Sequence, residues 1–147
     1  SLWVLFWLCC LWLSFKKSKI TYFLSGVNLS IMDHYKLVLP EHINHYGYLF
    51  GGNLLNWIDE IAYITATVDF PGRRFVTVAM DNVEFRYRIE KGEVLLFRAE
   101  QERLGKTSVT YRISVFGKVK DSDPERVLFS THMSFVNVDN QDQKQPI

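Results

Sequence analysis

This sequence predicts an α+β fold, an antiparallel sheet of about five to six strands wrapped around one long central helix. Three observations carry that expectation. Residues 51–70 repeat apolar side chains at helical spacing, and the period drops to two after Pro71-Gly72. The segments that follow are joined by connections shorter than the dozen or so residues, roughly, that a parallel crossover needs.

The first element is an extension. Ser1 to Phe15 is almost wholly apolar and Lys16-Lys17-Ser18-Lys19 follows it. That run is shorter than the roughly 18 to 20 residues a spanning helix requires. As a signal peptide it has its charge on the wrong side and lacks an A-x-A-like cleavage site. Met32 is the first methionine, and Met32-Asp-His-Tyr-Lys-Leu-Val-Leu opens a strand. Residues 1–31 are therefore expected to lie outside the native protein, the alternatives being a membrane-associating extension or an unusual anchor. Contact with a membrane is expected only if that extension is real.

A domain over residues 32–139 follows. Tyr35 to Leu39 reads as a strand stopped by Pro40, and Glu41 to Phe50 as a polar turn. In the helix that follows, Leu54, Ile58, Ile61, Thr65 and Val68 form a stripe widened by Leu55, Ala62 and Ala66, while Trp57 and Ile64 cover the other flank. A helix this apolar is expected to be buried by more than one partner, and Pro71-Gly72 ends it.

Phe75 to Met80 reads as a buried strand. Val83, Phe85, Tyr87 and Ile89 then alternate with Asn82, Glu84, Arg86, Arg88 and Glu90, which predicts a half-buried strand. Glu93 to Arg103, Thr107 to Val119 and Arg126 to Val138 complete the sheet, with Gly, Asp, Ser and Pro supplying the turns. Phe85, Tyr87, Tyr111, Phe129 and Phe135 fall on the buried period and are expected in the core. The polar tail, residues 140–147, is expected to fray.

A chain of 147 residues suits one compact domain. Lys+Arg 17 against Asp+Glu 16 leaves a net charge of +1, so no one-signed field is available for nucleic acid, and a small partner is expected. Cys9 and Cys10 are the only cysteines, and adjacent thiols suit neither a disulfide nor a metal pair. Their absence elsewhere fits a reducing compartment, and cytoplasmic residence is the expectation.

Several motifs recur in a familiar order. Pro40-Glu-His-Ile-Asn44-His-Tyr-Gly47-Tyr-Leu-Phe-Gly51-Gly52, Trp57-Ile-Asp59-Glu, Val76-Thr-Val-Ala-Met-Asp81, Gly105-Lys-Thr-Ser108 and Phe135-Val-Asn-Val-Asp139 resemble the hotdog-fold acyl-CoA thioesterases. The resemblance spans about Met32 to Asp139. It implies a sheet wrapped around the helix, assembly as dimers or trimers of dimers with each active site at a subunit interface, and hydrolysis of acyl-CoA to a fatty acid and CoA without metal or organic cofactor. It also implies that Asp59 is the catalytic carboxylate and that Asn44 and the helix start at Gly51-Gly52 belong to the site. Members usually carry a small residue where Tyr48 stands and often a proline where Arg88 stands. Tyr48 is therefore expected to narrow the acyl pocket.

The chemistry fits those residue types. A thioester carbonyl attacked by water gains negative charge on oxygen, and the unpaired amides and positive end of a first helical turn stabilise it. Glycines leave the approach clear; by itself the pair is equally a tight turn. Asp59, seven residues beyond Gly52, falls on the helical wheel beside Gly52, Ala62 and Ala66. Partial desolvation there would raise its pKa into the range of a general base, or it attacks the thioester itself to give a mixed anhydride. Outside the resemblance it reads as a solvated helix carboxylate. Asn44 either orients the water or thioester oxygen or shapes an Asx-turn, and both can hold together.

His42 and His45 lack a third ligand nearby and make a poor zinc site. Lys106, Thr107 and Ser108, with Arg74 adding charge, are the candidates to meet CoA phosphates, against the reading of a plain hairpin. A binding module that holds acyl-CoA without cleaving it is the rival class; retention of both Asn44 and Asp59 argues against it. A hydratase would need a histidine paired with the acid at a spacing that does not occur here, and no G-x-S-x-G elbow is present.

Overall fold

The computed structural model describes residues 22–24, 27–119 and 123–147, and side chains from Ser30 onward. Expectations for residues 1–21, including Cys9 and Cys10, lie outside the described residues. Strands β1 (Tyr22–Leu24) and β2 (Val27–Leu29) form an antiparallel pair ahead of β3 (Ile31–Leu37). A 3-10 turn at Pro40–His42 leads to α1 (Gly51–Asp69), and β4 (Phe75–Asp81), β5 (Val94–Leu104), β6 (Ser108–Gly117) and β7 (Val127–Asn137) follow.

The main sheet has five strands in the order β3-β5-β6-β7-β4, all antiparallel. Its inward-facing residues close on α1. Leu54, Trp57, Ile58, Ile61, Ala62, Thr65 and Ala66 are buried against Phe97, Val109, Tyr111, Met133 and Phe135. Each fully buried side chain of the size of Ile58 or Ile61 contributes about 1.5–3 kcal/mol, so this one stripe holds the helix to the sheet.

The opposite flank of α1 is open, contrary to the expected burial on several sides. Tyr63 is exposed there, next to the edge strand β4, where Val76 and Val78 also face solvent; Ile64 and Val68 are exposed toward the opposite rim of the helix. The sheet covers one stripe of the helix and β4 stops at its rim.

The predicted strand over 82–90 does not form. β4 ends at Asp81, Asn82 adopts a left-handed φ of 55°, and the chain then crosses as irregular backbone with an isolated bridge from Tyr48 to Glu90 in place of a ladder. Phe85 is 52% and Tyr87 44% exposed, so both leave the predicted core, whereas Ile89 is buried. Tyr111, Phe129 and Phe135 are buried as expected. The first strand also shifts, ending before Val38, because Ile31 to Leu37 pairs residue by residue with Val94 to Glu100.

The tail does not fray. Asn137, 2% exposed, accepts the Arg74 N–H at 3.1 Å and donates through Nδ2 to the Pro146 carbonyl at 2.8 Å, while Ile147 N–H donates to the Lys106 carbonyl at 3.0 Å. A buried amide left unsatisfied is costly, and here the tail supplies its acceptor. No helix among the described residues is long and apolar enough to cross a membrane.

On β3, His34 buries its Nε2 without a hydrogen-bond partner. Burial holds its pKa below the usual value, against an opposing pull from Asp33. The folded state therefore prefers the neutral ring. Its contribution is full above the unfolded pKa of about 6.5 and is lost as pH falls below it. Urea midpoints should decline from pH 7 to 5, and His34→Gln should flatten that decline. An unchanged decline in the variant would remove His34 as its source.

Candidate active site

The site grows from the loop that returns the chain to the start of α1. Leu39 N–H donates to His42 Nδ1 at 3.0 Å, and the His42 carbonyl accepts both Phe50 N–H at 2.9 Å and Asn53 Nδ2 at 3.1 Å. His42 also sets its ring edge-on to Trp57 at 4.8 Å. Between these anchors Asn44 forms an Asx-turn. Its Oδ1 accepts Tyr46 N–H at 3.0 Å and Tyr48 N–H at 3.1 Å, and Gly47, at φ 85°, completes the reversal. The turn-shaping reading of Asn44 is thus realised. Its Nδ2 has no acceptor among the described residues.

The loop satisfies the helix start selectively. Asn53 and Leu54 N–H donate to the Phe50 carbonyl at 3.0 and 3.3 Å, and Phe50 N–H is taken by His42. The amides of Gly51 and Gly52 have no partner among the described residues, no side chain caps the helix, and its first turn holds no acid. Two N–H groups at the positive end of a 19-residue helix stand ready for an oxyanion.

Gly51 also accommodates the segment that failed to become a strand. A Cβ there would meet Phe85 Cζ at 3.1 Å, so the ring rests on the helix start and Gly51 permits the approach. Phe85 in turn packs on Phe129 at 5.3 Å between centroids.

A half-open cleft of about 440 Å³ lies beside these groups. Asn44, Tyr48 and Gly51 line one side, and Leu54, Leu128 and Phe129 make an apolar floor. That floor depends on a register shift in the β6–β7 pairing, Val115 opposite Phe129 but Phe116 opposite Val127, which leaves Leu128 as the extra residue. Leu128 and Phe129 are consecutive, and both are buried and reach the cleft.

Asp59 stands apart from the cleft within one chain. Its neighbours on the wheel, Ala62 and Ala66, are fully buried, while Asp59 turns outward on the open flank and is exposed. The desolvation expected for it is not supplied by this chain. Thr77 Oγ1 donates to Asp59 Oδ1 at 2.9 Å from β4. Sequence reading gave Thr77 no role, although it lies in the Val76 to Asp81 motif and shares the strand face of Phe75, two residues earlier, which points toward the helix.

The predicted phosphate-binding residues lie at the far end of α1. A helix of that length spans about 28 Å. Lys106, Thr107 and Ser108 form the β5–β6 hairpin, with Gly105 N–H donating to the Ser108 carbonyl at 2.7 Å and Asn137 N–H to the Thr107 carbonyl at 2.9 Å. Arg74 donates through Nη1 to the Asp139 carbonyl at 2.9 Å and pairs with Asp142 at 3.1 Å. Within one chain Arg74 serves the tail, and none of these residues meets Asn44 or Gly51. His45 packs on Tyr46, and among the described residues no three His, Cys, Asp or Glu side chains gather as a metal would need.

Comparison with known proteins bears on the family and the fold. Residues 46–121 match the thioesterase superfamily. The chain is 39% identical to mouse acyl-coenzyme A thioesterase 11 over 80 residues, 54% of this chain and 13% of that protein. It is similar to the solved acyl-CoA hydrolase of Staphylococcus aureus in complex with butyryl-CoA, CoA and CoA disulfide, with TM-score 0.68, 28% identity, and 79% of this chain and 68% of that one covered. A hexameric hotdog-fold thioesterase of Campylobacter jejuni is similar with TM-score 0.67, 26% identity, and 78% and 87% covered. Variants of the S. aureus hydrolase with alanine in place of an aspartate, a threonine or an asparagine have been characterised. The chain spans less than half the length of the first curated relatives, 47% of one and 13% of another. The architecture is the hotdog fold.

Proposed function

The chain belongs to the thioesterase superfamily, and on that premise we propose that it hydrolyses acyl-CoA thioesters to a carboxylic acid and free CoA. The observation that carries the reading is that the Gly51 amide and the Asn44 Nδ2, both without a partner among the described residues, belong to residues lining one partly apolar cleft. The thioester oxygen lies against the Gly51 and Gly52 amides and the acyl chain runs over Leu54, Leu128 and Phe129.

Water, oriented by Asn44 Nδ2, adds to the carbonyl carbon while Asp59 takes its proton, and the oxyanion forms where the amides wait. The C–S bond then breaks. CoA leaves as thiolate and recovers the proton from Asp59, so the carboxylate is regenerated. Attack by Asp59 itself, through a mixed anhydride later hydrolysed, uses the same residues. The three residue types altered in the S. aureus variants are the three that this reading employs, in Asp59, Thr77 and Asn44.

Because Asp59 sits outside the cleft of its own chain, the reading requires Asp59 of one copy to face Asn44 and Gly51 of another. The open flank of α1 and the free edge of β4 are the surfaces that such a pairing covers, in a dimer or a trimer of dimers. Tyr63, Val76 and Val78 supply its apolar contact, and pairing removes an unprotected sheet edge. It also draws water away from Asp59. Lys106 to Ser108 and Arg74, remote from the cleft in one chain, come within reach of a CoA bound across two.

Thiol release from acyl-CoAs by the full chain tests the chemistry. Asp59→Asn should lower kcat by at least about a hundredfold, and Thr77→Val by less, since it loosens the carboxylate without removing it. Equal rates for wild type and Asp59→Asn would end the mechanism, and acyl-CoA binding with no thiol release by either would favour the binding module.

Sedimentation velocity tests the assembly. The wild type should run as a dimer or larger, and Tyr63→Asp with Val78→Lys should shift it toward monomer with loss of turnover. A fully active wild-type monomer would overturn the shared site.

A further inference from the structure

The cleft contains a cation that hydrolysis itself leaves unused. Arg88 Nη1 donates to Tyr48 Oη at 3.3 Å, and its guanidinium carbon lies 5.0 Å from the Tyr48 ring centroid. Among the described residues no carboxylate pairs with it. Arg86, two positions earlier, is by contrast held by Glu84 at 2.7 Å.

Tyr48 and Arg88 line the same cleft as Asn44 and Gly51, with Leu54, Leu128 and Phe129 as its floor. A ligand suited to this lining has a carbonyl at one end, a short apolar middle and an anion at the other. We propose that the cleft selects acyl-CoAs whose acyl chain ends in a carboxylate, the monothioesters of short dicarboxylic acids, with Arg88 as the specificity-determining residue. This deepens the hydrolase reading and rests on it for the reaction, though not for the recognition.

The geometry explains why the pair recognises an anion. The guanidinium carbon lies 5.0 Å from the centre of the Tyr48 ring and Nη1 bonds the phenol oxygen, so the one side chain holds the cation at two points. Nη2 and Nε have no partner among the described residues and can donate to two carboxylate oxygens in parallel, and the Tyr48 hydroxyl proton is available as a further donor. A neutral chain end pushed against the same group displaces its water and returns no hydrogen bond. Selectivity then comes from attraction of the carboxylate and from the penalty on its methyl counterpart.

Two thioethers that cannot be hydrolysed separate recognition from chemistry: S-(4-carboxybutyl)-CoA and S-pentyl-CoA, titrated calorimetrically into the full-length protein. The carboxylated ligand should bind about tenfold tighter than the alkyl one. Arg88→Met should abolish that ratio, and Arg88→Lys should restore part of it. In parallel, the kcat/KM ratio for glutaryl-CoA over pentanoyl-CoA should fall about tenfold in Arg88→Met. Equal affinities in the wild type, or a ratio that survives Arg88→Met, would overturn the proposal. If neither thioester releases thiol while the binding ratio behaves as described, the hydrolase reading fails and the recognition stands.

Discussion

Any α-helix begins with amides that its own backbone cannot satisfy, and in this protein everything near the site depends on which of them the preceding loop leaves alone. The His42 carbonyl draws in Phe50 N–H and Asn53 Nδ2, and the Phe50 carbonyl takes the amides of Asn53 and Leu54. What remains is Gly51 and Gly52. The loop around Asn44 is rigid for the same reason, since its Oδ1 is occupied by two backbone donors and only the amide nitrogen is left to face the cleft. An asparagine held in this way costs little further ordering when a substrate arrives.

The second constraint is the one-sided burial of α1. A five-stranded sheet grips the stripe from Leu54 to Ala66 and ends at β4, so the carboxylate of Asp59 emerges at the margin, held by the Thr77 hydroxyl. A carboxylate in the stripe itself would bear a heavy desolvation cost, whereas at the margin the cost falls due only when a second surface closes over it. Folding and catalysis are thereby separated: the single chain folds around an apolar stripe, and the charged group is desolvated by assembly.

Much of this was legible in the residues. The helical period of 51–70, the glycine pair, and the asparagine turn fifteen residues before the acid are local patterns, and local patterns survive into the structure. What failed was non-local. Val83 to Ile89 alternates like a strand, yet alternation describes only which faces differ and says nothing of a pairing partner; in one chain β7 already has β6 and β4 as neighbours, and the segment is left over. Thr77 was invisible because its role depends on β4 lying beside Asp59. The tail looked polar and idle, since the buried Asn137 that needs its carbonyls is nine residues away from Pro146.

The misread strand and the recognition proposal have one cause. A paired strand would have spent the backbone of 82–90 on hydrogen bonds and sent Phe85 and Tyr87 into the core. Unpaired, the segment is free to bend over the helix start, where the missing Cβ of Gly51 admits the Phe85 ring and the Leu49 N–H takes the Ile89 carbonyl at 2.7 Å. Arg88, fixed between Tyr87 and Ile89, is then delivered to the face of Tyr48. The two side chains act as one device in two parts, the Tyr48 hydroxyl and ring holding the Arg88 guanidinium at the cleft.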